Sequence, residues 1–286
     1  MKNLIMCMFL ITTTIQHQEY DDLELTYKSV PIATINHDAF TSSLTDVPII
    51  KESMVAELLD KLEQQINTEP ISAYINDQNE IVSGVVGIMV DRDRLTNELY
   101  SYFINHHSST LEVPTMTVYP RVSSELLADL HVKLIGSYVT YYNQSKSERS
   151  HNIYLATEAI NNQVVFQGEV FSFNQSVGKR TVEKGYLSAP IIIKGELYDG
   201  VGGGICQVSS TLYNAVDRVG VKIMERYSHS RRVPYVPPGR DATVSWYGPD
   251  FTFKNNLNQP ILIRAKAQRG QVNIRIYSSE VVNVKK

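Results

Sequence analysis

The sequence predicts an α+β protein of two domains, the C-terminal one a mixed sheet packed against helices with Cys206 at a helix N-terminus. Three observations predict it. Apolar residues at helical spacing alternate along the chain with short β-branched or aromatic runs. At 286 residues the chain is long enough for two domains of ordinary size. Residues suited to chemistry are gathered in the second half, whereas the first half reads only as scaffold. A 43% hydrophobic and 20% charged composition describes a globular chain with no compositional sign of disorder.

The chain opens on Met1-Lys2-Asn3 and then an apolar run from Leu4 to Ile15. As a helix that run covers roughly 18 Å, short of the ~30 Å hydrocarbon core, so residues 1–18 read as a secretory signal or short anchor rather than a spanning segment. No Ala-x-Ala precedes Gln16-His17-Gln18, and a buried N-terminal strand is the alternative. Cys7 lies in this run; its removal would leave Cys206 as the single, unpaired thiol of an exported protein.

From residue 20 to 130, Met54, Val55, Leu58, Leu59, Leu62 and Ile66 recur at helical spacing. Ile71 to Ile75 and Val85 to Val90 are strand-like. Asp91 is placed to cap a helix burying Leu95, Leu99 and Phe103. Leu111 to Tyr119 is a strand that Pro114 pushes to an edge. His106-His107 has no nearby ligand partner and reads as a solvated helix end. Asn143 to Ser150 is polar and reads as a loop. A helix follows through Ile153, Ala156, Ala159 and Ile160, ending near Asn161-Asn162. Val164 to Phe173, Ala189 to Lys194 and Val221 to Arg226 are strand-like. Ile261 to Ala265 and Val272 to Tyr277 read as a β-hairpin around Arg269-Gly270, and residues 266–286 as a C-terminal hairpin extension beyond the domain.

Cys206 follows Gly202-Gly203-Gly204 and opens the helix that runs toward Val219. At 100° per residue, Val208, Leu212, Ala215, Val216 and Val219 form a core face; Cys206 falls on the other with Ser209, Ser210, Tyr213 and Asp217. A thiol at a helix start feels the positive end of the macrodipole, which favours thiolate. Glycines there allow another chain to approach closely, and the backbone amides can receive an oxyanion. Beyond the next strand stands His229, and Asp241 precedes a further expected strand. A thiolate needs a proton acceptor, and that acceptor an orienting partner; Cys206, His229 and Asp241 stand in that order. Each has a plain alternative: a buried inert thiol, a histidine satisfying a strand end, an aspartate capping the turn after Pro237-Pro238-Gly239-Arg240. A mononuclear zinc on Cys206, His229 and a carboxylate lacks paired ligand motifs.

Gly168-Glu169-Val170-Phe171-Ser172-Phe173-Asn174, Val177-Gly178-Lys179-Arg180-Thr181, Gly185 to Pro190, Gly202 to Ala215, Glu225 to Thr243 and Asp250 to Asn255 together resemble the VanW family. The resemblance covers residues 135–265; Gln167 departs from the usual proline. The region from 20 to 130 resembles in layout the peptidoglycan-binding domain that often precedes a VanW domain. The resemblance implies a bacterial envelope protein, exported or anchored, with peptidoglycan or another wall polymer as partner. It implies no settled reaction and no cofactor.

The expectation is therefore cysteine-dependent acyl or peptidyl transfer, or hydrolysis, on a wall polymer. Cys206 would attack, His229 would serve as base then acid, and Asp241 would orient it. Gly203, Gly204, Gln207, Ser209, Ser210, Tyr213 and Tyr235 would bind substrate. The competing expectation is a non-catalytic wall-binding module whose glycines and cysteine only shape a groove. The 17 tyrosines suit a cleft for a polar polymer. A net charge of −3 offers no case for nucleic acid or an anionic membrane surface, leaving membrane contact to an N-terminal anchor.

Overall fold

A computed structural model describes residues 22–42, 48–105, 109–193 and 195–284. The signal-like segment, Cys7 and His106-His107 lie outside the described residues. The architecture is mixed α+β, as the alternating periodicities predict. No helix among the described residues is long and apolar enough to cross a membrane. The chain divides into two compact bodies, and the division is not sequential: residues up to Pro70 join Val86–Tyr119, while Ile71–Val85 joins Pro120–Lys286.

In the first body Leu23–Tyr27 pairs antiparallel with Val30–Ile35 and parallel with Thr110–Glu112. Of the stripe read from the spacing, helix Glu52–Ile66 buries Val55, Leu59, Leu62 and Ile66, half-buries Leu58 and leaves Met54 exposed. Helix Arg92–Asn105 starts where expected, with Asp91 Oδ1 accepting the Arg94 amide at 3.1 Å. The expected strand at Leu111 to Tyr119 is two strands: Val113 donates to Thr26, and Thr115–Val118 turns to pair with Gly87–Val90.

The second body is built on a four-stranded antiparallel sheet in the order Lys133–Tyr141, Gln271–Ser278, Ile261–Gln268, Gln163–Val165. Helices Ser147–Ile160 and Ile205–Asp217 pack on one another and against this sheet. Ile153, Leu212, Val216, Ile263, Ile274 and Ile276 are fully buried in the shared core. Gly136 permits the approach, since a Cβ there would meet the Ala215 carbonyl at 2.6 Å. A second sheet, Val170–Ser172, Thr252–Lys254 and Lys222–Glu225, adds Phe171, Phe251 and Phe253 to that core.

Several expectations change here. Gln271–Ser278 lies inside the four-stranded sheet, so the C-terminal hairpin is integral rather than an extension. Residues 71–85 belong with the second body, so the 20–130 boundary is not the structural one. There Ile75 and Asn76 carbonyls accept from Arg264, and Ile75 packs with Leu127, Leu130 and Leu262. The polar stretch at 143–150 becomes helical from Ser147. Val164 to Phe173 is interrupted at Gly168, whose φ is +82°. No strand opens at Asp241; Thr243 makes one isolated bridge to Tyr227. Lys133–Tyr141, Ser124–Leu130 and Glu196–Val201 are elements that periodicity leaves unread.

Candidate active site

Hairpin strands Ser188–Ile193 and Glu196–Val201 deliver the chain to the glycine turn. Gly202 and Gly204 take φ of +87° and +108°, the left-handed side that glycine adopts without a Cβ penalty. Gly203 is required for space instead: a Cβ would lie 2.4 Å from the Ala189 carbonyl oxygen. Fully buried Asn152 pins the turn, donating to the Leu187 and Gly203 carbonyls at 2.8 and 3.0 Å and accepting the Leu187 amide at 2.8 Å. Gly204 then caps helix Ile205–Asp217, setting Cys206 in its first turn at the positive pole.

Cys206 is partly accessible, its Sγ 3.8 Å from Thr243 Oγ1 and 3.6 Å from the Val244 carbonyl oxygen. His229 lies near enough to the sulfur for its charge to act on it. Its ring Nδ1 lies 2.6 Å from Asp241 Oδ2, and these two side chains are only 6% and 9% exposed. Burial alone would push the thiol up; hydrogen bonding to the sulfur and the charge of His229 outweigh it and hold Cys206 below the usual thiol range. Burial would likewise lower His229, but Cys206 and then Asp241 raise it above the ordinary histidine value. Burial would raise Asp241, yet hydrogen bonds from the His229 amide and ring hold it low. Each shift favours the charged form of its group, thiolate, imidazolium and carboxylate.

The sulfur opens on a cleft of about 990 Å³. Its lining includes the apolar and aromatic side chains of Ile191, Ile192, Leu197, Trp246 and Tyr247. With Cys206 it also includes Arg149, Arg180 and Tyr235. Arg149 donates to Gln207 Oε1 at 2.7 Å, and burial lowers its proton affinity. Tyr235 is held protonated by burial and by the charge of Cys206. Among the described residues no three or more His, Cys, Asp or Glu side chains are grouped to hold a metal ion.

A family model described as "VanW like protein" matches residues 148–277. The chain is 52% identical over 280 residues to the uncharacterised protein YoaR of Bacillus subtilis (strain 168), covering 98% of this chain and 92% of that one. The chain belongs to the VanW family. No solved structure matches it. The VanW match contains Arg149, Arg180, Cys206, His229 and Asp241, but it begins after Lys133–Tyr141, the strand that forms one edge of the main sheet.

Within the VanW domain, Cys206, His229 and Asp241 come together, and Gly204, Gln207 and Tyr235 reach the cleft. Gly203, Ser209, Ser210 and Tyr213 do not line it. The helix face expected to be polar and open is covered by residues 240–242. Ser209 Oγ donates to the Ala242 carbonyl at 2.6 Å, and Ser210 Oγ accepts the Ala242 amide at 2.9 Å. Asn214 donates to the Arg240 carbonyl at 2.7 Å, and Arg240 returns to Asn214 and Asp217. Tyr213 lies edge-on to Phe251 with the Arg226 and Arg240 guanidinium groups over its ring. These side chains therefore fasten Asp241 to the helix that carries Cys206. Gln207, 1% exposed, ties the same helix to the main sheet: it donates to Thr140 and Tyr141 while holding Arg149. Sequence reasoning misses Arg149 and Arg180 as cleft residues, although Arg180 lies in one of the motif blocks that carry the family resemblance.

Proposed function

We propose that this VanW protein performs cysteine-dependent acyl transfer on the peptide portion of a cell-wall polymer such as peptidoglycan, at the bacterial envelope. The observation that carries this reading is the Cys206–His229–Asp241 array, whose cysteine and histidine line a cleft of about 990 Å³. The Cys206 thiolate adds to a peptide carbonyl carbon, forming a C–S bond and placing negative charge on the carbonyl oxygen. The positive pole of helix Ile205–Asp217 stabilises that charge. Collapse breaks the C–N bond, and the His229 imidazolium gives its proton to the departing amine. The thioester then passes its acyl group to an incoming amine or to water, whose proton His229 takes. The thiolate–imidazolium pair is restored. Asp241 keeps Nδ1 protonated and directed away, leaving Nε2 to face the sulfur.

Exposed Trp246 and Tyr247 beside the cleft also suit a module that only binds the polymer. Incubating the full chain with muropeptides, followed by intact-mass analysis, separates the two. Acyl transfer requires an adduct on Cys206 or altered muropeptides, both absent from Cys206→Ser. Saturable binding with neither would leave the module.

A further inference from the structure

Arg180 is the element of the site that the acyl-transfer reading does not use. Its side chain enters the cleft beside Cys206, packed against Gly202, where a Cβ would lie 3.1 Å from its own Cβ. Both terminal guanidinium nitrogens, Nη1 and Nη2, are buried from solvent and have no hydrogen-bond partner among the described residues. Buried guanidinium groups are ordinarily paired, because a desolvated cation with unmade hydrogen bonds bears its full desolvation penalty with nothing to offset it. The face of Phe173 offers only a contact at 5.9 Å from Cζ, which satisfies no N–H. Arg149, by contrast, has Gln207 as its acceptor. Two parallel N–H donors on a fixed, planar fork match a carboxylate in bidentate fashion.

We propose that Arg180 is a specificity residue for the substrate of the acyl-transfer site, receiving a carboxylate of the peptide whose carbonyl Cys206 attacks. This rests on the acyl-transfer reading for the identity of the peptide, and on the two unpartnered guanidinium nitrogens for the carboxylate. Because Nη1 and Nη2 are closed to solvent, the guanidinium turns toward the cleft as the carboxylate enters, which completes its missing hydrogen bonds and fixes the peptide's register against the sulfur. Its source is either the C-terminus of the peptide or an acidic side chain within it.

The test measures equilibrium binding to the full-length Cys206→Ser protein, so that it does not depend on turnover. Three forms of a cell-wall stem peptide serve as probes: all carboxylates free, only the C-terminus amidated, and only the internal carboxylates amidated. Amidation of one class should weaken binding about tenfold or more, which names the source. Arg180→Gln should weaken the free-acid peptide to the level of that amide and leave the amide's affinity unchanged, while Arg180→Lys retains part of the difference. Equal binding of all three peptides, no measurable binding, or a carboxylate preference that survives in Arg180→Gln would overturn the assignment. Circular dichroism of each variant confirms that the fold is retained; if Arg180→Gln does not fold, Arg180→Lys and the three peptides still decide. Failure of the acyl-transfer reading would appear separately, as wild-type protein that binds the free-acid peptide without forming a Cys206 adduct.

Discussion

One oxygen of Asp241 holds His229 twice. Oδ2 accepts the His229 backbone amide at 2.6 Å and sits 2.6 Å from the ring Nδ1. The residue that orients the imidazole thus also fixes the main chain from which the imidazole hangs, so neither the ring nor the loop can turn independently.

Cys206 should alkylate with iodoacetamide in the folded protein at a rate already half-maximal below the ~8.5 of an ordinary thiol. Intact-mass kinetics across a pH series measure this. A rate that climbs only through the ordinary thiol range, or appears only after denaturation, would remove the thiolate from the mechanism.

Asp241→Asn keeps an acceptor for the His229 amide but removes the charge facing Nδ1. Turnover should fall on the order of 10²–10⁴-fold with little change in fold. His229 should lose the part of its upward shift that Asp241 supplies, and the thiol, beside an imidazole that holds its proton less firmly, should move up. The alkylation and activity profiles would both record those movements. Stability has its own sign. The folded-state value of Asp241 is depressed, so its contribution is present above the unfolded aspartate value and is lost as pH falls through the folded one. Acid unfolding should therefore be flatter in Asp241→Asn over that window.

Gly203→Ala drives a methyl group toward the Ala189 and Pro190 carbonyl oxygens, at 2.4 and 2.8 Å. Backbone must move, and a loss of about 1–3 kcal/mol is expected in denaturant unfolding. Because Asn152 ties the same turn to helix Ser147–Ile160, Asn152→Ala should lower stability as well, by leaving the Leu187 amide and the Gly203 carbonyl without this partner. Variants that retain wild-type unfolding midpoints would contradict the tight packing of this turn.

Tyr213 and Tyr235 should respond oppositely to loss of the hydroxyl. Tyr213→Phe forfeits the 3.2 Å contact from Arg240 and should cost about 1 kcal/mol of stability with no change in KM. Tyr235→Phe alters the cleft beside Cys206 and should change kcat or KM with little effect on the melting temperature. Parallel steady-state kinetics and thermal melts distinguish them.

The helices with apolar stripes are legible in the sequence because burial imposes their period: Arg92–Asn105 buries Leu95, Leu99 and Phe103, and Glu52–Ile66 buries its stripe except at Met54 and Leu58. Helix Ile205–Asp217 is legible in extent but not in surroundings. Its serines look like a solvent face, yet they and the neighbouring Asn214 are buried because the backbone at 240–242 supplies hydrogen-bond partners that no local pattern records. The same limit hides the role of Gln207, whose partners come from residues 140, 141 and 149. Lys133–Tyr141 is hard to read because its faces do not alternate cleanly; most of its residues are half-buried. The order Cys206, His229, Asp241 is readable from chemistry alone. Arg180 is not, since a guanidinium without a partner is a property of the folded cavity.

The loan of residues 71–85 to the second body has a consequence for how this protein can be inherited and engineered. Recombination that transplants residues 120–286 alone would leave Arg264 without the Ile75 and Asn76 carbonyls, Asn162 without Ile75, and Leu127 and Leu262 without an apolar cover. Such a fragment should be poorly soluble, and grafting back a tethered copy of residues 71–85 should rescue it. The two bodies are interlaced along the gene, and neither is a cassette that can be cut out at a single pair of ends.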